Sequence, residues 1–517
     1  MAKLKVKNID YLSQELKDKF NGISQSNLKI GIVCSADVFN YNSYSYNLAK
    51  VVEKEILKQG VEAEVVFMPS INERFRVYSN NNYVLNAHRS QISNYLELIM
   101  FEKTFDGVVF IPSGFNNTLG CLTSSIRLNL PTLVLPQGIS KTSEGSSLQD
   151  LLSFPGLIAN NEKSIFDLEE SQNKFNEFAG TGSTFNTENI FNIILEIMEL
   201  SLKDSATTFA QSYEKESQAK TIAKTIVELT KNRLPLKRMI NRKSVNNALM
   251  LNFCLGGSPA IIDAICYLSK EAGVDLDLNK TYSSSKNIPV LFDTNNSFDT
   301  YLSNGGTWAL IKAMIKNKII DGNYKTFSDT TLTEETKKIK DYENFTNIIK
   351  KESLIQLHGN IADRYALVKT INLPEDKTKV IANAQVFTSD QEACNAVLNK
   401  ALTDNAIIVI KECGKNTQTK CSTISQTVTA LQSMGITNNH VIITDGFVID
   451  DTKAIVISCV TPDSDSGNIR YLKDGDEIEI DFVKGKINAE INAKEFTLRQ
   501  KKFVKEKIEL PKYFNSL

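Results

Sequence analysis

The chain has 517 residues, 42% of them hydrophobic and 23% charged, a globular composition in a length too great for one hydrophobic core, so two domains are expected. Lys+Arg 59 against Asp+Glu 60 leaves a formal charge of -1, and with no global field to attract them, nucleic acid and anionic membrane are not expected partners. The start, Met1-Ala-Lys-Leu-Lys-Val-Lys7, has no apolar h-region, and no stretch approaches the roughly 20 apolar residues of a membrane span, so a cytoplasmic protein is expected. Eight cysteines, Cys34, Cys121, Cys254, Cys266, Cys394, Cys413, Cys421 and Cys459, form no C-x-x-C pair and are expected as reduced thiols.

In chain order, Lys29–Cys34 reads as a buried strand, Tyr46–Gln59 as a helix and Glu62–Met68 as a second strand. A helix follows over Arg89–Phe101, where Ile92, Leu96 and Ile99 recur at helical spacing. Asp106–Ile111 and Pro131–Pro136 are two further apolar strands, with a helix over Leu119–Leu128 between them. This alternation predicts a doubly wound parallel sheet whose ligand face is the C-terminal edge of its strands. Ser113, Asn116 and Asn117 make a polar turn at one such strand end and are the best candidates for holding a small ligand without a metal.

From Ser164 to about Lys231, and again from Val245 to Ala272, the pattern is mainly helical. It is broken at Gly180-Thr-Gly-Ser183 and Gly256-Gly-Ser258. Both breaks precede helices, so Gly182, Ser183, Gly256, Gly257 and Ser258 are candidates for a carboxylate or phosphate site, against the plainer reading of simple connections. Thr331–Lys351, rich in Lys, Glu, Asp and Thr, suits an exposed helix or linker, which divides the chain into an N-terminal α/β domain over 1–335, a linker over 336–351 and a C-terminal domain over 352–517. In the last part the strands are short and frequent: Leu354–Leu357, Lys379–Phe387, Ala406–Ile410, His440–Thr444, Ala454–Cys459, Glu477–Phe482 and Lys486–Ile491. A β-rich, barrel-like domain is expected there.

Several segments, in shared order over most of the chain, resemble the dihydroxy-acid dehydratase and 6-phosphogluconate dehydratase family. Gly256-Gly-Ser-Pro-Ala260 resembles the family's G-G-S-T-N, with Glu271-Ala-Gly-Val274 at the expected offset. Leu357-His-Gly-Asn-Ile-Ala362 is similar to L-x-G-N-L-A, and Ala384-Gln-Val-Phe387 before Asp390-Gln-Glu-Ala393 to A-x-V-F and the acidic helix start after it. Leu472-Lys-Asp-Gly-Asp476 with Ile478–Phe482 resembles the near-terminal D-G-D turn and strand. The resemblance implies the fold already expected, a tendency to form homodimers, and a hydro-lyase that removes water from a 2,3-dihydroxy acid to give a 2-keto acid. That chemistry uses an iron–sulfur cluster as Lewis acid, a magnesium ion and a base for the C2 proton, hence thiolates, hard oxygen donors and a proton acceptor.

At the positions that the resemblance assigns to these groups, other residues stand. The family's C-D-K-x-x-P-G reads Gly114-Phe-Asn-Asn-Thr-Leu-Gly120, although the Arg127-Leu-Asn-Leu-Pro131 that follows keeps the family's R-L-N-x-P. A second cluster cysteine corresponds to Gly182 within Gly180–Phe191, and the P-C-N-x-H-L segment to the neighbourhood of Tyr41–Ser45. The D-G-R-F-S-G motif, whose serine is the base, reads Asp445-Gly-Phe-Val-Ile-Asp450, with Ile449 in the serine's place. Thr423, in the loop Gly414–Ile424, stands where a metal-binding glutamate is expected.

Cys34, Cys121 and Cys254 all approach the expected ligand edge and are the cysteines from which a substitute cluster would be built; the plainer expectation is three small buried hydrophobes. His358 and Asn360, in the retained Leu357–Ala362 segment, are candidates to line a pocket between the domains, the plainer reading of His358 being a structural strand-end residue. His88 reads as a surface residue at a helix start and His440 as a strand start, neither with a role. Lys415 and Lys420, between Cys413 and Cys421, lie in what reads as a solvated loop. The expectation is a degenerate family member without cluster or magnesium, a ligand-binding protein for a small organic acid or a subunit beside itself or a paralogue. The alternative is an active hydro-lyase with a rebuilt site, for which the iron–sulfur cluster and Mg2+ would be needed.

Overall fold

The computed structural model describes residues 28–36, 44–71, 73, 84–141, 147–175, 179–323, 330–342, 345, 347–414 and 423–503. The apolar runs of the first third form β1 (Lys29–Ala36), β2 (Glu62–Pro69), β3 (Gly107–Ile111) and β4 (Thr132–Val134), parallel in the order β2-β1-β3-β4. Such a sheet must be covered on both faces, which is why β3 and β4 are buried at every position. Helix α1 (Tyr44–Leu57) and a later helix over Tyr213–Lys231 cover one face through Leu48, Val52, Ile222 and Ile226. Helices α2 (Val84–Glu102) and α3 (Phe115–Leu128) cover the other through Ile92, Leu96, Leu119 and Leu122.

Helix α3 begins four residues before the expected Leu119. Gly114 has φ 107°, a left-handed value open to glycine, and it turns the chain sharply off β3 so that the helix starts at Phe115. Beyond the sheet come α4 (Leu148–Ala159), α5 (Thr187–Ile197), the helix over Tyr213–Lys231, here α6, then α7 (Arg242–Cys254) and α8 (Pro259–Glu271). Serine or asparagine caps the first turn of each: Ser147 before α4, Asn186 before α5, Ser212 before α6, Asn241 before α7 and Ser258 before α8. No described helix is long and apolar enough to cross a membrane.

The segment expected to be exposed over Thr331–Lys351 is partly core. Leu332, Thr336 and Phe345 are buried, because the apolar Leu332 and Phe345 of this polar stretch find the helical layer beside it; Ile348 and Ile349 remain exposed, although the Ile349 N–H donates to the Val290 carbonyl (2.9 Å). Its lysines Lys337, Lys338 and Lys351 are exposed, as their charge requires.

The C-terminal part contains β5 (Leu354–Leu357), β6 (Tyr365–Lys369), β7 (Lys379–Phe387), β8 (Ile407–Ile410), β9 (Thr423–Ile424), β10 (Val441–Thr444), β11 (Phe447–Val448), β12 (Ile455–Thr461), β13 (Glu477–Asp481) and β14 (Lys486–Ala489). Eight of these form one sheet in the order β14-β13-β7-β8-β10-β12-β6-β5. It closes on itself nearly completely: the His358 N–H donates to the Gly485 carbonyl (2.9 Å) and the Ile487 N–H to the His358 carbonyl (3.1 Å), joining β5 to β14. Inward residues such as Val368, Ile407, Ile443, Ile457 and Ile480 fill the interior, while α9 (Asp390–Leu398) and α10 (Gln426–Ser433) cover an outer apolar layer. Helix α4 of the N-terminal domain lies against α10, and Gly156 is so close to Ser433 that a Cβ there would fall 2.0 Å from Ser433 Oγ.

Candidate functional site

Pairing β1 with β3 in parallel brings their C-terminal ends together, at the edge where a doubly wound sheet binds ligands. Ser113 follows β3 there, and its N–H donates to Ser35 Oγ at the end of β1 (2.8 Å). Asn116 and Asn117 lie in the first turn of α3, where unpaired N–H groups and the helix dipole favour an anion. Glu73 supplies one. Its Oε2 accepts from the Asn116 N–H (2.9 Å) and side-chain amide (3.1 Å), and its Oε1 from the Asn117 N–H (2.8 Å).

A second buried carboxylate, Glu188 in the first turn of α5, accepts the Gly114 N–H at 2.7 Å. The Asn117 side-chain amide donates to the Ser113 and Ile71 carbonyls. Ser113, Asn116 and Asn117 therefore do meet in one turn, but these donors serve protein acceptors and not an open pocket. Burial pushes the Glu73 carboxyl up to about 7, against the pull of its three N–H donors and of Arg89. His88, half-buried and not on the surface, backs this turn by accepting the Ile71 N–H at Nε2 (3.3 Å).

The break at Gly180–Ser183 runs beside Gly138–Ser140. The Thr181 N–H donates to the Gly138 carbonyl (2.9 Å), the Ser140 N–H to the Gly182 carbonyl (3.0 Å), and the Gly182 N–H to Ser140 Oγ (3.0 Å). Ser183 is half-buried beside them. Beneath this edge Lys215 is fully buried, donating from Nζ to the Pro136 carbonyl (3.1 Å) and to that of Ser205, and burial pushes it down to about 7. Glu196, buried nearby, accepts the N–H groups of Asp204 and Ala206 and the Trp308 indole, and burial pushes it up to about 8.

The second break lies at the junction of the two domains. Gly256 and Gly257 have φ 94° and 71° and donate their N–H groups to the Phe253 and Asn252 carbonyls, closing α7, after which Ser258 caps α8. Ser258 Oγ also donates to Asp450 Oδ2 (2.7 Å), as does Thr187 Oγ1 of α5 (2.9 Å), while Lys369 Nζ lies 3.1 Å from Asp450 Oδ1. Next to it, Asp451 Oδ2 accepts from Thr184 Oγ1 (3.0 Å) and from Gln149 Nε2 of α4 (2.6 Å).

His358 and Asn360 are not at this junction. The antiparallel register pairs Leu354 with Lys369 and Leu357 with Ala366, so Lys369 marks one end of β5 and His358 follows the other. The His358 side chain is exposed. Asn360 pairs with β14, its Nδ2 donating to the Ala489 carbonyl (2.7 Å) and its Oδ1 accepting the Ala489 N–H (2.8 Å), while a Cβ at Gly359 would meet the Ile487 carbonyl at 1.8 Å. That motif closes the barrel. His440 is a buried strand-start residue whose Nδ1 lies 3.0 Å from the Ala406 carbonyl.

Cys34 lies in the apolar layer under α1 and α6, whereas Cys121, 3.4 Å from Met68 Sδ, and Cys254 lie in the layer on the other face. Burial pushes the Cys34 thiol up to about 12 and raises those of Cys121 and Cys254. Among the described residues no three His, Cys, Asp or Glu side chains converge as metal ligands.

With this geometry in hand, comparison with known proteins gives two family matches. The description "Dihydroxy-acid/6-phosphogluconate dehydratase N-terminal" fits residues 29–335 and "Dihydroxy-acid/6-phosphogluconate dehydratase C-terminal" fits residues 341–516. The chain belongs to the dihydroxy-acid and 6-phosphogluconate dehydratase family. It is similar to curated dihydroxy-acid dehydratases: 27% identical over 507 residues to that of Campylobacter jejuni subsp. doylei, covering 93% of this chain and 90% of the relative. To that of Clostridium botulinum it is 28% identical over 433 residues, covering 80% and 78%.

The iron–sulfur cluster that this family resemblance implies does not fit the two described positions assigned to its thiolates. Gly114 has φ 107°, and a Cβ there would lie 2.5 Å from Glu73 Oε1; Gly182 has φ 95°, which a cysteine adopts only under strain. The third assignment, around Tyr41–Ser45, falls mostly on residues outside those described, as do Cys421, Lys415, Lys420 and most of the loop Gly414–Ile424. At the end of that loop Thr423 sits in β9, paired with Phe447. Ile449 is buried, and its N–H donates to the Ile424 carbonyl (3.2 Å).

Glu73, Glu188, Lys215, Lys369 and Asp450 were not singled out from the sequence. The signal was present only for Glu188, an acid in the first turn of a capped helix, the place where a dipole favours it.

Proposed function

We propose that this chain is a non-dehydrating member of its family, a cytoplasmic subunit or scaffold that keeps the dehydratase fold without the cluster, the magnesium or the serine base. The observation that carries the reading is the Glu73 carboxylate at Gly114. It fills the space in which a cluster thiolate would begin and uses the helix N–H groups that would face a ligand. Ile449, a hydrocarbon side chain, offers no proton acceptor where the family's base is expected. The seven described cysteines are all free thiols, in keeping with a reducing compartment.

The test is iron and acid-labile sulfide content of protein purified without oxygen, with release of 2-keto acid measured from 2,3-dihydroxy acids and sugar acids. Neither iron, sulfide nor product is expected. A stoichiometric cluster with turnover would replace this reading by that of an active hydro-lyase with a rebuilt site. Purification from the native host should recover the chain with a second copy of itself or with an active paralogue.

A further inference from the structure

The helices that follow the two glycine-rich breaks start at one point, and the group between them is a carboxylate of the protein itself. Thr187 and Ser258 each direct a hydroxyl at Asp450 Oδ2, at 2.9 and 2.7 Å, and Lys369 faces Oδ1 at 3.1 Å. The Lys369 and Asp450 side chains are 5% and 1% exposed. An ammonium so far from water is stabilised by a counter-charge, since desolvating it unpaired is costly. The three donors come from three separate parts of the chain, the start of α5, the cap of α8 and the end of β6, and converge on one carboxylate. Asp450 reaches it on the short connection between β11 and β12.

We infer that Lys369, Ser258 and Thr187 form a preorganised site for a small carboxylate, and that Asp450 occupies it from within, closing the domain junction to free organic acids. The site differs from the one at Gly114, and the inference holds whether or not a cluster is present. Iron and sulfide content tests that reading, and anion binding tests this one.

Truncating Asp450→Ala removes a carboxyl carbon and two oxygens, which is the outline of formate. The expected result is a fall in melting temperature for Asp450→Ala in chloride, largely restored by formate at matched ionic strength. Wild type should show no formate-specific shift, and Asp450→Ala with Lys369→Met should lose the response. Asp450→Gly, with room for one more carbon, should respond to acetate as well. Failure of formate to restore Asp450→Ala, or an equal shift in wild type, would overturn the inference. If Asp450→Ala does not fold in chloride, refolding yield gives the same answer: a higher yield in formate supports the site, and equal yields in the two salts refute it.

Discussion

The Glu73 carboxylate stands where a side chain on Gly114 would begin, 2.5 Å from the position of its Cβ, and is held there by the two N–H groups that open α3. Gly114→Cys therefore meets two costs. A non-glycine residue at this φ costs about 1–3 kcal/mol, and forcing extra atoms into a packed interior about 1–3 kcal/mol more. A total loss of roughly 2–6 kcal/mol is expected in urea unfolding. Adding Glu73→Ala should recover the crowding part and leave the backbone part. A Gly114→Cys protein as stable as wild type would show that Glu73 is not fixed against this glycine.

Glu73 also sets a pH dependence. Its folded pKa, about 7, lies above the ordinary 4.5 because burial penalises the charged form. An acid raised in this way contributes stability that is complete below about 4.5 and is lost as pH rises through about 7. Glu73→Gln lacks this dependence. Between about pH 5 and pH 8, wild type should lose stability relative to Glu73→Gln, by on the order of 3 kcal/mol. Parallel stability curves for the two proteins would contradict the assignment.

Lys369→Met leaves Asp450 buried with two hydroxyl donors and no cation. Breaking a buried pair from one side costs about 3–5 kcal/mol, whereas replacing both partners by apolar groups is often neutral. Lys369→Met with Asp450→Leu should therefore be more stable than Lys369→Met alone. Denaturant midpoints of the three proteins decide it, and a double variant that is the least stable of them would show that the hydroxyl contacts outweigh the charge.

The thiols give a fourth expectation. Cys34, Cys121 and Cys254 are buried with raised pKa values, so they carry little thiolate at neutral pH and little access to reagent. Mass mapping after brief alkylation of the native protein should find the half-buried Cys266 modified before these three, and all of them modified in denaturant. Rapid native labelling of Cys121 would show that the layer around Met68 opens.

Much of the fold was legible because its strands are unbroken apolar runs. Asp106–Ile111 and Ala406–Ile410 read as strands from their apolar runs, and Gly107–Ile111 and Ile407–Ile410 form them, buried throughout. Tyr365–Lys369 did not, since five residues ending in a lysine show no alternation, and only the tertiary fold reveals that the lysine turns inward to Asp450. The candidate site was legible at its edges. Gly180–Ser183 and Gly256–Ser258 precede the helices that hold a buried carboxylate, but its identity was hidden, because Asp450-Asp451-Thr-Lys453 is a polar stretch with no period to mark a buried residue. Glu73 was hidden for a different reason: it lies in a polar stretch without period, and its partners Asn116 and Asn117 are some 40 residues further along.

The contact of Gly156 with Ser433 gives the junction its tolerance. Helix α4, which carries Gly156, also carries Gln149, bonded to Asp451, so the same rigid rod touches the barrel at two places about two turns apart. One of those touches is backbone against side chain, with no room for a single methyl group. Parts fitted at that clearance interlock, and neither can slide along the other without a side chain giving way.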